Sequence, residues 1–171
     1  MKILVRVFVL LDCGCSIIDE IENDVRERSQ PAPEGDPAEV LVLVNQARDS
    51  GQNCGSEGTF GSADPVGYND KLGRAAELHA DDMASRSFMA HTGSDGSDPA
   101  ARISREGYEW SAIGENVAAG QSSPAAVMSS WLSSPAHCAN IMNPTFEHMG
   151  IGRAAGGSLG VYWAQTFATP R

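Results

Sequence analysis

Basic residues are scarce in this chain of 171 residues, and their scarcity excludes one large class of function. Only 12 lysines and arginines stand against 22 aspartates and glutamates, which gives a formal net charge of −10. Proteins that bind nucleic acids need a basic patch or stripe to meet the phosphate backbone. The sequence shows none, so we expect no nucleic-acid partner.

Aromatic residues and long apolar runs are also few. Phe, Trp and Tyr make up 6% of the chain, so the core must consist largely of Ala, Val, Leu, Ile and Met. The apolar run in residues 1–11 is too short to span a bilayer. The length suits one domain with enough chain to bury a core.

The first 35 residues differ in character from the rest. Residues 1–11 are basic and then apolar, with Lys2 and Arg6 as the positive region, and they resemble the front of a secretory signal. Cys13 follows in a stretch that resembles a degraded bacterial lipoprotein signal, from which Asp12 departs. We therefore expect an export signal, with or without a lipid anchor, in residues 1–15. A mis-set start codon and an uncleaved amphipathic tail are the alternatives.

Residues 16–35 mix acids, arginines and prolines, which indicates a linker. The remaining residues, 36–171, then form the globular domain. This domain holds two cysteines, Cys54 and Cys138, which are distant in the sequence. We predict that they form a disulfide, as exported proteins favour; two buried free thiols are the alternative.

Residues that cap helices, several of them followed by proline, predict where the helices begin. Four such starts are Asp36-Pro37, Asn69-Asp70, Ser123-Pro124 and Ser134-Pro135. Late in the chain, residues 149–153 and 159–167 read as a hairpin, and residues 113–119 can supply a third strand. Residues 92–100 form a loop rich in Gly, Ser and Asp. It can be only a long connection, but its length favours a functional loop. Helices first and antiparallel strands late predict an α+β fold.

Four short motifs carry a family resemblance. They are FMAHT at residues 88–92, GENVA at 114–118, WLSSPAHCANIM at 131–142 and FEHMGIG at 146–152. In this order and spacing they resemble the CAP superfamily, which includes cysteine-rich secretory proteins, antigen 5 allergens and pathogenesis-related 1 proteins. The similarity is greatest to short bacterial members and spans about residues 38–170. It implies an α-β-α sandwich with a central antiparallel sheet.

The same resemblance implies a cleft. Members of the superfamily line it with two histidines and two acidic residues, and His91, Glu115 and His137 match three of these. Gly150, thirteen residues after His137, keeps the family spacing. The second acid would lie three residues after Trp131, where this chain has Ser134.

The chemistry of these residues allows more than one role. Two neutral imidazoles, His91 and His137, are good zinc ligands, and with Ser134 in place of an acid the site would be weak and exchangeable. Alternatively, Glu115 could orient a histidine as a base, with Ser134 as nucleophile. No G-x-S-x-G motif is present, and we expect Ser134 to cap its own helix. His79 lies on an apolar helix face and is expected to be a packed structural residue.

Two classes of function follow. The resemblance implies an exported, non-enzymatic and monomeric binding module, secreted or attached to the cell envelope. Its cleft would take a small apolar or lipid-like ligand and a weakly bound divalent cation such as zinc. The alternative is a metal-dependent or serine hydrolase that uses the same cleft.

Overall fold

The computed structural model describes residues 35–171, and the predicted signal and nearly all of the predicted linker lie outside them. The helices are α1 (Asp36–Ser50), α2 (Asp70–Arg86), α3 (Pro99–Arg105), α4 (Pro124–Ser133) and α5 (Pro135–Met142). The strands are β1 (Gln52–Asn53), β2 (Thr59–Phe60), β3 (Gly67–Tyr68), β4 (Trp110–Ala119), β5 (His148–Gly156) and β6 (Gly160–Pro170). A short 3-10 turn covers Gly55–Glu57.

The main sheet has the strand order β3-β5-β6-β4. Strand β6 pairs antiparallel with both β5 and β4, as the hairpin and third-strand predictions required. The two-residue strand β3 adds a parallel pair beside β5, which the sequence did not predict. Strands β1 and β2 form a separate small antiparallel pair. Within residues 35–171, β4 has a neighbour on one side only, so it is an edge strand of the described sheet.

Side chains alternate between the two faces of this sheet, and each face packs against its own helical layer. One face contributes Ala118, Met149, Ile151, Trp163 and Phe167 to a core with α1, α4 and α5. The opposite face contributes Val117, Ala154, Tyr162, Ala164 and Ala168 to cores with α2 and α3. The predicted α-β-α sandwich is thereby confirmed.

Two glycines let α2 lie directly on the sheet. A Cβ atom at Gly150 would overlap the backbone of α2 at Leu72 and Gly73, and one at Gly152 would overlap it at Ala76. Only a residue without a side chain permits so close an approach of helix and strand. The glycine at position 150, thirteen residues after His137, is therefore explained by the packing of α2 on the sheet.

The predicted helices begin where expected, but two of the expected side-chain caps are absent. Asn69 accepts hydrogen bonds from two main-chain amides at the start of α2, and Ser123 accepts one at the start of α4. Helix α1 has Gly35 at its N-cap, which has no side chain to cap with, so the expected cap by Asp36 is not made. The Asp36 carboxylate pairs with Arg153. Ser134 precedes α5 but its side chain makes no capping bond, so that expectation was wrong.

The predicted connection at residues 92–100 ends in a helix. Asp98 accepts a hydrogen bond from the amide of Ala101, and Pro99 is the first residue of α3. This is the same cap-and-proline signal that marked α4, and sequence reasoning overlooked it because the surrounding residues are rich in Gly, Ser and Asp. Asp95 and Asp98 both accept hydrogen bonds from nearby main-chain amides, a common role of aspartate in turns and helix caps.

Cys54 and Cys138 form a disulfide with their Cα atoms 5.4 Å apart. Both residues are at most 1% exposed. The bond joins the segment after α1 to helix α5 across 84 residues of sequence. Among the described residues, no helix is both long enough and apolar enough to cross a bilayer.

Candidate functional site

The candidate site lies beside the edge strand β4, where the two helical layers can approach each other. Consecutive side chains of β4 point to opposite faces of the sheet. Glu115 accordingly faces the layer of α2 and α3, whereas Asn116 faces the layer of α5. One dipeptide in the GENVA motif therefore contacts both layers at once.

His91 reaches this edge from the segment that follows α2. Its Nδ1 atom lies 2.9 Å from Glu115 Oε1, and the histidine side chain is 55% exposed while that of Glu115 is 2% exposed. A carboxylate can only accept, so the Nδ1–H group donates and the Nε2 atom of a neutral ring keeps its lone pair. This hydrogen bond raises the pKa of His91 above its ordinary value.

The second carboxylate oxygen of Glu115 is taken by Arg102, which sequence reasoning missed. Arg102 Nη2 donates to Glu115 Oε2 at 2.6 Å and to the main-chain oxygen of His91 at 2.9 Å. Its Nη1 atom donates to the main-chain oxygen of Ser97 at 2.8 Å. Recognition of the Asp98-Pro99 helix start would have placed Arg102 in the first turns of α3, facing the sheet.

His137 reaches the edge from the opposite layer, in the first turn of α5. Its main-chain oxygen accepts a hydrogen bond from Asn116 Nδ2 at 3.2 Å. The same Nδ2 donates to Gln165 Oε1 at 2.9 Å, and Asn140 Nδ2 donates to Asn116 Oδ1 at 2.9 Å. Asn140 Nδ2 also donates to the main-chain oxygen of Glu115 at 3.1 Å. This chain of amides, in which Asn116 and Gln165 are buried and Asn140 is half-buried, ties α5 to β4. No sequence signal indicated it.

His137 is half-buried. Burial lowers the pKa of His137, and repulsion from His91 lowers it further. His91 bonds to Glu115 and the main chain of His137 bonds to the next residue, Asn116, although the two histidines lie 46 positions apart by number. His91, Glu115 and His137 thus occupy one region at the sheet edge.

The donor set for a metal at this edge is limited to the two imidazoles. Across residues 35–171, no group of three or more His, Cys, Asp and Glu side chains is arranged to hold an ion. Glu115 is engaged through both oxygens by His91 and Arg102. Such an arrangement suits an exchangeable ion whose remaining ligands are water molecules, and it does not suit a closed structural zinc site.

Two further residues had predictions of their own: Ser134 as a cleft residue and His79 as a packed structural residue. Ser134 is half-buried, and within the described residues its hydroxyl group forms no hydrogen bond to a histidine. A serine nucleophile paired with a base is therefore not formed in this structure. His79 is 1% exposed and its Nε2 lies 2.8 Å from the oxygen of Ala90, which is the packed, hydrogen-bonded role that was predicted. Burial lowers the pKa of His79.

Comparisons with known proteins agree with this architecture. The profile of the cysteine-rich secretory protein (CAP) family matches residues 41–167. The uncharacterized protein YkwD of Bacillus subtilis is 31% identical over 103 residues, which are 60% of this chain and 39% of YkwD. The chain thus spans well under half the length of that relative.

Solved structures show the same fold at low sequence identity. An extracellular protein of Bacillus anthracis that contains an SCP domain has a TM-score of 0.65 at 21% identity, over 86% of this chain and 49% of that one. NaASP2, solved with Zn²⁺, has a TM-score of 0.53 at 13% identity, over 82% of this chain and 88% of that one. At these identities both likenesses concern the fold alone.

Proposed function

This chain belongs to the cysteine-rich secretory protein (CAP) family, and on that premise we propose that it is an exported, non-enzymatic binding module. Its cleft at the edge of β4 takes a divalent cation of the zinc type through His91 and His137. Glu115 orients His91 from behind and does not itself bind the ion. The observation that supports the proposal is that adjacent residues of β4 bond to the two histidines, Glu115 to the ring of His91 and Asn116 to the main chain of His137.

The properties of the two rings support this role. The hydrogen bond to Glu115 leaves His91 Nε2 as the free nitrogen of the neutral ring. Burial keeps His137 neutral to lower pH than an ordinary histidine. Neutral imidazole nitrogens are ligands that zinc, copper and nickel bind well. The zinc in the structure of NaASP2, a protein of the same fold, makes zinc the first ion to test.

Isothermal titration calorimetry with zinc tests the proposal. We expect one exchangeable site per chain at a pH well above the ordinary histidine pKa of about 6.5, because the raised pKa of His91 shifts its neutral form to higher pH. The affinity should fall as the pH is lowered, because protonated imidazoles cannot bind an ion. The site should be absent in the His91→Ala/His137→Ala double variant and retained in His148→Gln. Zinc binding that the double variant keeps would refute the proposal.

A small apolar or lipid-like ligand is the second part of the proposed binding function. Met89, two residues before His91 in the sequence, is an apolar side chain that is 52% exposed. Native mass spectrometry of protein purified from its own cells tests this part. A co-purified mass that is absent from a Met89→Asp variant would support it, and bare protein in both samples would oppose it.

Export rests on a separate argument. A fully buried disulfide between Cys54 and Cys138 is typical of proteins that fold outside the reducing cytosol. The relative from Bacillus anthracis is itself described as extracellular. Cell fractionation with sequencing of the mature N-terminus tests the location. Protein outside the cytoplasm that begins near Cys13, Cys15 or later is expected, and cytosolic protein with an intact Met1 would contradict it.

A further inference from the structure

Arg102 is the charged residue at the candidate site that neither the sequence motifs nor the proposed cation site explains. It is 8% exposed, and it lies on the short helix α3 beneath the segment that carries His91. Its guanidinium group meets three different acceptors at 2.6 to 2.9 Å. They are Glu115 Oε2, the main-chain oxygen of His91 and the main-chain oxygen of Ser97.

Two of these acceptors determine the position of His91. The bond to the His91 main-chain oxygen holds the backbone of that residue. The bond to Glu115 holds the carboxylate that receives Nδ1–H of the same residue. A planar guanidinium can serve several fixed acceptors at once, because its five N–H groups form a rigid fork. Arg102 therefore constrains His91 at both its main chain and its ring.

The ion pair also determines what Glu115 can do. Each of its carboxylate oxygens already has a partner, and the side chain is 2% exposed. To reach an ion in the cleft, Glu115 would have to leave Arg102 behind as an unpaired buried charge. That cost is large, so the donors available in the cleft remain nitrogen atoms. Nitrogen donors favour zinc, copper and nickel over calcium and magnesium, which prefer oxygen.

We propose that Arg102 is a positioning and specificity-determining residue of the cleft. It fixes the ring of His91 with Nδ1–H toward Glu115 and Nε2 toward the cleft, and it withholds the Glu115 carboxylate from any bound cation. Only the second role, the effect of Arg102 on which cation binds, rests on the proposed cation site. The orientation of His91 is a property of the protein without an ion.

The competing explanation is that Arg102 forms an ordinary structural ion pair. The two explanations differ in which property of the side chain is needed. An ion pair that only holds α3 against the sheet requires a positive charge and little else. The proposed role requires the planar fork, in which Nη2 directs its two N–H groups at His91 and Glu115 while Nη1 bonds Ser97. A lysine ammonium has three N–H groups, but they are tetrahedral and rotate freely, so they do not reproduce this fixed planar arrangement. Arg102→Lys keeps the charge and removes the fork, whereas Arg102→Met keeps the approximate length and removes both.

The experiment uses the full chain with these two variants and with Arg74→Met as a matched control. Arg74 is an exposed arginine on α2 that pairs with Glu77. Nitrogen-15 NMR of the histidine rings at a pH well above the ordinary pKa of about 6.5, chosen because the pKa of His91 is raised, reports which nitrogen of the neutral His91 ring carries the proton. Calorimetry reports zinc and calcium affinities, and circular dichroism reports folding.

In the wild type and in Arg74→Met we expect His91 protonated at Nδ1. In Arg102→Met and Arg102→Lys we expect a mixture of the two tautomers, with a zinc affinity lowered about 10- to 100-fold, as for other residues that orient a metal-binding histidine. The preference for zinc over calcium should also fall in Arg102→Met, where Glu115 is released. Arg102→Lys should bind zinc more tightly than Arg102→Met and less tightly than the wild type.

Each unfavourable outcome is informative. If Arg102→Lys retains the wild-type tautomer and zinc affinity, charge suffices and the proposal is overturned, even if Arg102→Met fails to fold. If the wild type binds no zinc, the proposed cation site is wrong, yet the tautomer of His91 in the Lys variant still decides the positioning role. An unchanged tautomer there would overturn that role as well.

Discussion

His91 and His137 lie at the same sheet edge with different kinds of support. The His91 arm, which comprises His91, Glu115 and Arg102, is held by charges within the α2/α3 layer. The His137 arm is held by neutral groups in the opposite layer. It comprises the disulfide at Cys138 and the amide chain of Asn116, Asn140 and Gln165.

This difference separates control of a ring from control of a helix. In the His91 arm the hydrogen bond goes to the imidazole itself, so the ring orientation is set before a ligand arrives. In the His137 arm the bonds go to the main chain, and within residues 35–171 the His137 ring makes no hydrogen bond. Ligand binding should therefore order the His137 ring more than that of His91.

The largest stability effect should come from the buried ion pair of the His91 arm. Glu115→Gln leaves the Arg102 guanidinium without its counter-charge in a site where both side chains are at most 9% exposed. We expect a loss of about 3–5 kcal/mol in the free energy of unfolding, measured by urea denaturation. Glu77→Gln, which breaks an exposed pair with Arg74, should cost about 0–1 kcal/mol. Equal costs for the two variants would contradict the distinction.

The disulfide should provide the next largest effect, in the His137 arm. Replacement of Cys54 and Cys138 by serine removes a link that constrains 84 residues of the unfolded chain. We expect a loss of about 2–4 kcal/mol. A reductant should shift the urea curve of the wild type and leave that of the double variant unchanged. An unshifted wild-type curve in full reductant would show that the bond contributes little.

The amide chain should contribute less than either. Asn116→Ala removes a hydrogen-bond partner from buried Gln165 and from Asn140. A buried polar group left without its partner costs about 1–3 kcal/mol, so a loss of that size is expected by urea denaturation. Gln46→Ala, at an exposed position of α1, is the control and should change nothing. A neutral result for Asn116→Ala would remove the amide chain from the account.

The smallest effects should be those of pH, and the two arms should differ in sign. The folded-state pKa of His91 is raised, so its contribution is present below the unfolded value of about 6.5 and disappears as pH rises through the folded pKa. The pKa of His137 is lowered by burial, so protonation favours the unfolded state and costs stability as pH falls below about 6.5.

Single variants separate the opposite pH dependences of stability that His91 and His137 contribute. Relative to the wild type, His91→Ala should lose more stability at acidic than at alkaline pH. His137→Ala should instead gain relative stability as the pH falls. Thermal unfolding of both variants across this pH range measures the difference, and parallel pH profiles would contradict it.

Much of the fold followed from local signals in the sequence. The starts of α2 and α4 follow from Asn69 and Ser123, whose side chains satisfy free amides in the first turn. The sandwich followed from the order of helices and strands and from the family resemblance. Strand β3 was not predicted because its two residues, Gly67 and Tyr68, are too few to show a periodic pattern. Its parallel pairing with β5 depends on tertiary packing.

The site was less accessible from the sequence. His91, Glu115 and His137 lie in recognisable motifs, but the partners that hold them do not. Arg102 was hidden in a segment that resembled a loop, and Asn116, Asn140 and Gln165 become neighbours only when β4, α5 and β6 are assembled. The expected side-chain cap at Ser134 failed because position before a helix does not ensure the bond.

Anomalous X-ray scattering from crystals soaked in zinc tests the central claim most directly. The claim is that the two layers each deliver one imidazole to a single ion at the edge of β4. We predict one major zinc peak about 2 Å from both His91 Nε2 and a nitrogen of His137, with Glu115 still bonded to Arg102. A peak bound by Glu115, or by only one of the two histidines, would contradict it.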